Sequence, residues 1–275
     1  MKKKILVVGK NSFVGNNLYN ELKNLFDIKI VNYKSFFQIS DYKLSSIDTI
    51  INCSISKNYV HKNYSIKNDR DLQICKKIKK FKCKMIFLSS RKVYLSGDNL
   101  RENSKLKPKC NYSKNKLKTE KRLSFNLKKR VLILRISNLI GIDNSKLKKK
   151  KIHKTFGDIF FQYIKKNIIF DNNNEYKDFI SINKFCEIVK GLIKNNANGI
   201  YNVSIGQKIY LNDLIRWLNI FNKKKYKIQI KRKKVITDHF FLNNYKLMKK
   251  ININNGVLQL KNDCKKISKL YFKAK

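Results

Sequence analysis

The chain has 275 residues, 64 of them Lys or Arg against 18 Asp or Glu, a net charge of +46, with nine glycines and one proline. That length supplies ample core for one large or two modest domains. The positive charge would ordinarily suggest a nucleic-acid or anionic-membrane partner. It is spread along the whole chain, however, and comes with heavy use of Asn, Ile, Phe and Tyr and only two alanines, Ala197 and Ala274, which marks biased coding composition and argues against a specific nucleic-acid partner. Dense basic runs occur only at Lys146–Lys154 and Lys223–Lys234, where a solvated face is the default.

Lys2-Lys3-Lys4 followed by Ile5-Leu6-Val7-Val8 resembles the start of a secretory signal, but the apolar run stops at Gly9 after four residues. A signal core takes about 7 to 15, and no apolar run approaches the roughly 20 residues of a membrane span. The six cysteines (Cys53, Cys75, Cys83, Cys110, Cys186, Cys264) form no C-x-x-C pair, and His61, His153 and His239 are too scattered to suggest a metal site. The expectation is a reduced, cytoplasmic protein without a resident metal.

Ile5 to Val8 is an apolar strand, and Ser12 to Leu25 carries helical periodicity through Phe13, Val14, Leu18, Leu22 and Leu25. Between them lies Gly9-Lys10-Asn11-Ser12-Phe13-Val14-Gly15, with Ser12 where a third glycine is usual. Glycines in a turn from strand to helix let backbone bend sharply and let helix pack closely on strand, with helix N-terminal amides facing a pyrophosphate. Ile28 to Val31 is the second strand, ending in Asn32-Tyr33-Lys34. An acid there would bind the ribose 2′-hydroxyl of NAD; its absence, and Lys34, lean the cofactor toward NADP.

Ile47 to Asn52 is the next strand, running into Cys53 and Ser54; Asp71 to Lys80 reads as a helix and Lys84 to Leu88 as a buried strand ending in Ser89-Ser90-Arg91-Lys92-Val93-Tyr94. Tyr112 and Lys116 then stand four apart in one helix, so they share a face. A phenol is a poor proton carrier at neutral pH until a nearby ammonium favours its phenolate. Val131 to Ile136 is a further strand. Strands alternating with helices from residue 3 to about 140 imply a doubly wound parallel sheet. Beyond it, Leu211 to Phe221 reads as an amphipathic helix, Tyr226 to Ile230 as a strand, and Ile253 to Tyr271 as a polar stretch with a final helix.

The glycine turn, Ser89-Ser90-x-x-Val93-Tyr94, Tyr112-x-x-x-Lys116, Leu134-Arg135-Ile136-Ser137-Asn138-Leu139-Ile140-Gly141, Asp178-Phe179-Ile180-Ser181-Ile182-Asn183 and Gly199-Ile200-Tyr201-Asn202-Val203 occur in one order. In that order and spacing the chain resembles the extended short-chain dehydrogenase/reductases, the NAD(P)-dependent nucleotide-sugar epimerases, dehydratases and reductases. The resemblance implies a Rossmann-type domain over residues 1–141. It implies a smaller, mainly substrate-binding part over 142–275, some of whose segments return to the sheet. It implies NADP or NAD held by Gly9, Asn11, Ser12, Phe13, Val14, Gly15, Lys34, Cys53, Ser54, Tyr112 and Lys116. Tyr112 is the implied proton carrier, Lys116 its electrostatic partner and ribose ligand, and Ser90 the hydroxyl that orients the reacting oxygen. A nucleotide-sugar substrate would also meet Asn138 and Lys177, the latter standing where the pattern usually has an arginine. The resemblance also admits a homodimer.

Within that family, 4,6-dehydratases carry an acidic pair after the strand-end hydroxyl, where this chain has Arg91 and Lys92. Epimerases and reductases need only the Ser-Tyr-Lys set, and the sequence leaves those two open. A non-catalytic cofactor-binding module, regulatory or RNA-associated, has no need of that set, so its presence weighs against such a module.

Overall fold

In the computed structural model, which describes residues 2–141, 155–166, 168–171, 175–223, 229–232, 238–253 and 256–273, the first apolar run forms β1 (Lys4–Val8), flanked by β2 (Asp27–Val31) and β3 (Thr49–Asn52). Next to β3 come β4 (Lys84–Ser90), β5 (Val131–Ile136) and β6 (Gly199–Val203), so the order across the sheet is β6-β5-β4-β3-β1-β2, every pair parallel.

Parallel sheets are covered on both faces, and strand residues alternate between those faces. Ile5 and Val7 of β1 pack with Leu18 and Leu22 of α1 (Phe13–Leu22), and α5 (Ile182–Lys194) adds Phe185, Ile188, Val189 and Leu192 on that side. Leu6 and Val8 face the other way, onto Ile74, Cys75 and Ile78 of α2 (Arg70–Ile78) and Leu123 and Leu127 of α3 (Asn111–Leu127). The doubly wound Rossmann-type sheet expected from the sequence is the observed architecture. Its last strand and one of its covering helices come from beyond residue 141.

A second core joins Phe160, Phe161 and Ile164 of α4 (Phe156–Ile164) to Leu214, Trp217 and Leu218 of α6 (Leu211–Asn219) and Leu260, Cys264 and Ile267 of α7 (Val257–Lys273). Gly97–Leu100 pairs in parallel with Phe240–Leu242, tying the chain that follows β4 to the C-terminal part.

Several boundaries differ from the sequence reading for local reasons. α1 starts at Phe13 because Ser12 caps it, and α2 starts at Arg70 because the Asp69 carboxylate accepts the Leu72 amide. β4 extends past its apolar run to Ser90 because Ser89 and Ser90 still pair with Arg135 and Ile136. Two one-turn helices, Tyr33–Phe37 and Asp41–Ser45, occupy a stretch without clear periodicity. The strand expected at Tyr226–Ile230 is observed at Gln229–Arg232, paired with Ile168–Asp171; residues 226–228 lie outside the described residues. The run Lys146–Lys154 and most of Lys223–Lys234 lie outside them too.

Candidate active site

β1 sits where the connections diverge, β2 on one side and β3 on the other, and ligands of open α/β sheets bind at the carboxyl ends of strands at such a switch point. The glycine turn stands there. Gly9 has φ +128°, and its amide and that of Lys10 both donate to Val31 O, at 2.7 and 3.1 Å, fastening the turn to the end of β2. A Cβ on Gly9 would come within 3.1 Å of Cys53 C, and one on Gly15 within 2.7 Å of Gly9 O, so neither position accepts a side chain without backbone movement. Ser12 replaces glycine usefully: its Oγ accepts the Gly15 amide at 3.3 Å and caps α1. Asn11 is exposed, Val14 is half-buried against the core, and the Phe13 ring lies where a Cβ on Gly141 would approach it to 2.4 Å. That contact ties the turn to the strand Asn138–Ile140 and explains the glycine that ends the Leu134–Gly141 motif.

Cys53 and Ser54 leave β3 beside this turn. The Ser54 amide and hydroxyl donate to Asn52 Oδ1 at 3.0 and 2.7 Å, and Asn52 Nδ2 donates to Asp71 Oδ1 at 2.8 Å. A nucleotide pyrophosphate fits this tight turn, which has no Cβ at Gly9 or Gly15 and leads into a helix N-terminus, so the residues present suit a nicotinamide dinucleotide.

Tyr112 and Lys116 project from the first turns of α3, with the Lys116 Nζ 5.8 Å from the Tyr112 ring centroid. Lys116 is buried; its Nζ donates to Leu88 O at 2.7 Å and lies 4.5 Å from the Phe87 ring centroid. Leu88 and Ser90 share one face of β4, so the ammonium rests on the strand just ahead of the expected hydroxyl. The Lys92 amide donates to Ser90 Oγ at 3.3 Å, so this hydroxyl also caps the turn Arg91–Val93.

The foot of α3 is pinned by buried polar groups, some of them inside the quoted motifs but none among the expected site residues. Glu120 pairs with Arg135 at 2.7 Å, both side chains nearly inaccessible, and also accepts from Ser89. Arg135 Nη1 donates to Tyr94 OH at 2.9 Å, and that hydroxyl donates to Asn202 Oδ1 at 2.7 Å. Thr119 donates to Asp69 Oδ2 at 2.7 Å, and Asn115 Nδ2 donates to Tyr59 O and Lys62 O at 2.8 and 2.9 Å. Glu120 stands four residues after Lys116 on the same helical face, a spacing that could have flagged it. Asp71 is buried, which pushes its carboxyl up to about 7 despite the opposing Lys116 ammonium.

The remaining expected residues stand further out. Lys34 is exposed on the one-turn helix after β2, and Asn138 heads a strand paired in parallel with Phe179–Ser181. Lys177 is engaged with Glu175, so it would have to release that carboxylate to meet a phosphate. Arg91, at a position where dehydratases carry an acid, is buried, forks onto Asp238 through both terminal nitrogens, and lies 3.7 Å over the Phe240 ring. Among the described residues no cluster of His, Cys, Asp and Glu could hold a metal, and no helix is long and apolar enough to cross a membrane.

Comparison with solved structures gives full-length similarity at low identity. A UDP-N-acetylglucosamine 4-epimerase from Methanobrevibacter ruminantium, in complex with UDP-N-acetylmuramic acid, shares 18% identity at a TM-score of 0.77, covering 100% of both chains. RMD from Pseudomonas aeruginosa, complexed with NADPH, shares 15% at 0.79 over 99% of this chain and 100% of its own. A dTDP-glucose 4,6-dehydratase from Bacillus anthracis, in complex with NAD, shares 15% at 0.75 over 98% of this chain and 97% of its own. These likenesses establish the fold. Comparison with curated proteins gives no match. The model of the NAD dependent epimerase/dehydratase family matches residues 5–204. The chain therefore belongs to the NAD dependent epimerase/dehydratase family.

Proposed function

We propose that this protein is an NAD(P)-dependent epimerase or reductase of a nucleotide-linked sugar, serving cell-surface polysaccharide biosynthesis. The observation that carries the reading is the placement of Tyr112 and Lys116 one turn apart, with the Lys116 ammonium held on Leu88 O of the strand that ends in Ser90. Family membership supplies the cofactor class, NAD or NADP, and the absence of an acid at 32–34 favours NADP. The dinucleotide supplies a hydride donor and acceptor when bound.

The chain's own residues do the rest. Gly9 to Gly15 hold the pyrophosphate against the α1 N-terminus, with Cys53 and Ser54 closing the adjacent wall. Tyr112 moves the proton at the sugar oxygen whose carbon exchanges hydride, so one acid/base suffices. Lys116 is the cation one turn from Tyr112 and meets the cofactor ribose, while Ser90 donates to the reacting oxygen. Asn138 and Lys177 meet the nucleotide diphosphate.

Elimination of water would need a further acid and base beside Ser90. Arg91 and Lys92 are there instead, and Arg91 is tied to Asp238, which disfavours a dehydratase. Similarity to an epimerase that binds a UDP-sugar supports the substrate class. The test is incubation of the purified protein with UDP-, dTDP- and GDP-linked 4-keto and 4-hydroxy sugars, following nicotinamide absorbance and the sugar product together. Net consumption of reduced nicotinamide reads reduction; inversion at the sugar carbon without net consumption reads epimerisation. The absence of both outcomes with every sugar of the panel would defeat the proposal.

A further inference from the structure

The end of β2 carries a cation that does not come from β2. Arg70 opens α2, and its Cζ stands 4.5 Å over the ring of Tyr33, the second residue past β2. The ring is held in place from the same helix: Tyr33 OH donates to Gln73 Oε1 at 2.5 Å, and Gln73 Nε2 donates to Lys67 O at 2.7 Å. Both acidic neighbours of Arg70 are turned away into the buried network. Asp69 accepts from Thr119, Tyr64 and the Leu72 amide, and Asp71 accepts from Asn52. Among the described residues the Arg70 guanidinium has no hydrogen bond and no ion pair; it lies over the Tyr33 ring and feels the buried Asp71 carboxyl only electrostatically.

A guanidinium lying over an aromatic face spends none of its N–H donors on a carboxylate, which leaves its fork available to a phosphate. Its aromatic partner Tyr33 follows by two residues the Val31 carbonyl to which the Gly9 and Lys10 amides of the glycine turn donate. In dinucleotide-binding sheets the adenosine ribose lies there, and an acid at this place selects the free 2′-hydroxyl. Here the positions are Asn32, Tyr33 and Lys34. We infer that Arg70, lying over the Tyr33 ring, is the residue that accepts the 2′-phosphate of NADP and sets the preference for NADP over NAD, with exposed Lys34 as a peripheral cation. The inference rests on the proposed dinucleotide-binding reading and adds a specificity-determining residue to it.

The experiment is direct titration of the full chain, and of Arg70→Ala, Arg70→Gln and Arg70→Lys, with NADPH and NADH, read by nicotinamide fluorescence and by calorimetry without any sugar. Losing a forked charge-assisted contact should weaken NADPH by about 10- to 100-fold in the Ala and Gln variants. NADH affinity should stay within about twofold, which also reports that each variant is folded; Lys should retain part of the preference. Equal weakening of both dinucleotides would overturn the inference in favour of simple adenine stacking, and unchanged NADPH affinity would overturn it outright. Failure of the parent chain to bind either dinucleotide would instead sink the cofactor reading on which it rests.

Discussion

Asp71 is a carboxyl placed where ionisation is costly, buried beneath Lys116 with Asn52 as its hydrogen-bond donor. Burial raises it to about 7, against an ordinary value near 4 in the unfolded chain. Between those values the folded protein holds a proton that the unfolded chain has lost, so this group's contribution to stability declines as pH rises from about 4 to 7. Asp71→Asn mimics the protonated form; its stability relative to the parent should therefore improve across that window in denaturant melts at successive pH values. A gap independent of pH would show that Asp71 is ionised throughout. Gly15 offers a steric counterpart, because a Cβ there would sit 2.7 Å from Gly9 O. Gly15→Val should destabilise by about 1–3 kcal/mol through overpacking and weaken both dinucleotides; unchanged titrations with either one would misplace the pyrophosphate. Gly9, Ser12 and Gly15 are legible in sequence because a turn's chemistry is local. Asp71 is not, because its donor Asn52 arrives from another element, and for Glu120 only the four-residue spacing from Lys116 is local while Arg135 and Ser89 come from other strands.

At the scale of elements, the turn after β4 is latched to the C-terminal part. Arg91 forks onto Asp238 and lies over the ring of Phe240, whose strand pairs with Gly97–Leu100. Burial raises the Asp238 carboxyl, but hydrogen bonds from Arg91 and Ser96 outweigh it and hold it far below the usual carboxylate range. The pair therefore stabilises the fold above the unfolded value near 4 and loses that contribution as pH falls below it. Arg91→Met keeps much of the stem but strands a half-buried carboxylate, at a cost of about 1–3 kcal/mol near neutrality. The cost should shrink below pH of about 4, measured by denaturant melts of both proteins; a penalty that persists in acid would mean Arg91 acts through packing on Phe240 alone. None of this latch is visible in sequence, since the paired strands lie far apart along the chain and each is too short for periodicity. The core strands are legible for the opposite reason: buried on both faces, they read as unbroken apolar runs.

For the whole molecule, the sequence-order match of six modest motifs located the fold more firmly than any one of them. Four of them reach strands of the six-stranded sheet, one lies on α3, and Asp178–Asn183 enters the small sheet that Phe179–Ser181 forms with Asn138–Ile140. Tyr94 and Arg135, which sit inside those motifs, turn out to belong to the buried network joining β4, β5, β6 and α3, so part of what looks like a functional signature is scaffold. The charge of +46 needs no role in that scaffold, and Lys116, the lysine proposed to act beside Tyr112, is one of the few buried lysines among the described residues. The central claim concerns chemistry, and the direct measurement is single-turnover hydride transfer with a 4-keto or 4-hydroxy nucleotide sugar that the parent accepts, alongside dinucleotide titration. Tyr112→Phe should slow transfer by about 10² to 10⁴ with dinucleotide affinity unchanged, and Lys116→Met should slow transfer and weaken the dinucleotide together. A Tyr112→Phe protein that transfers hydride at the parental rate would contradict the account.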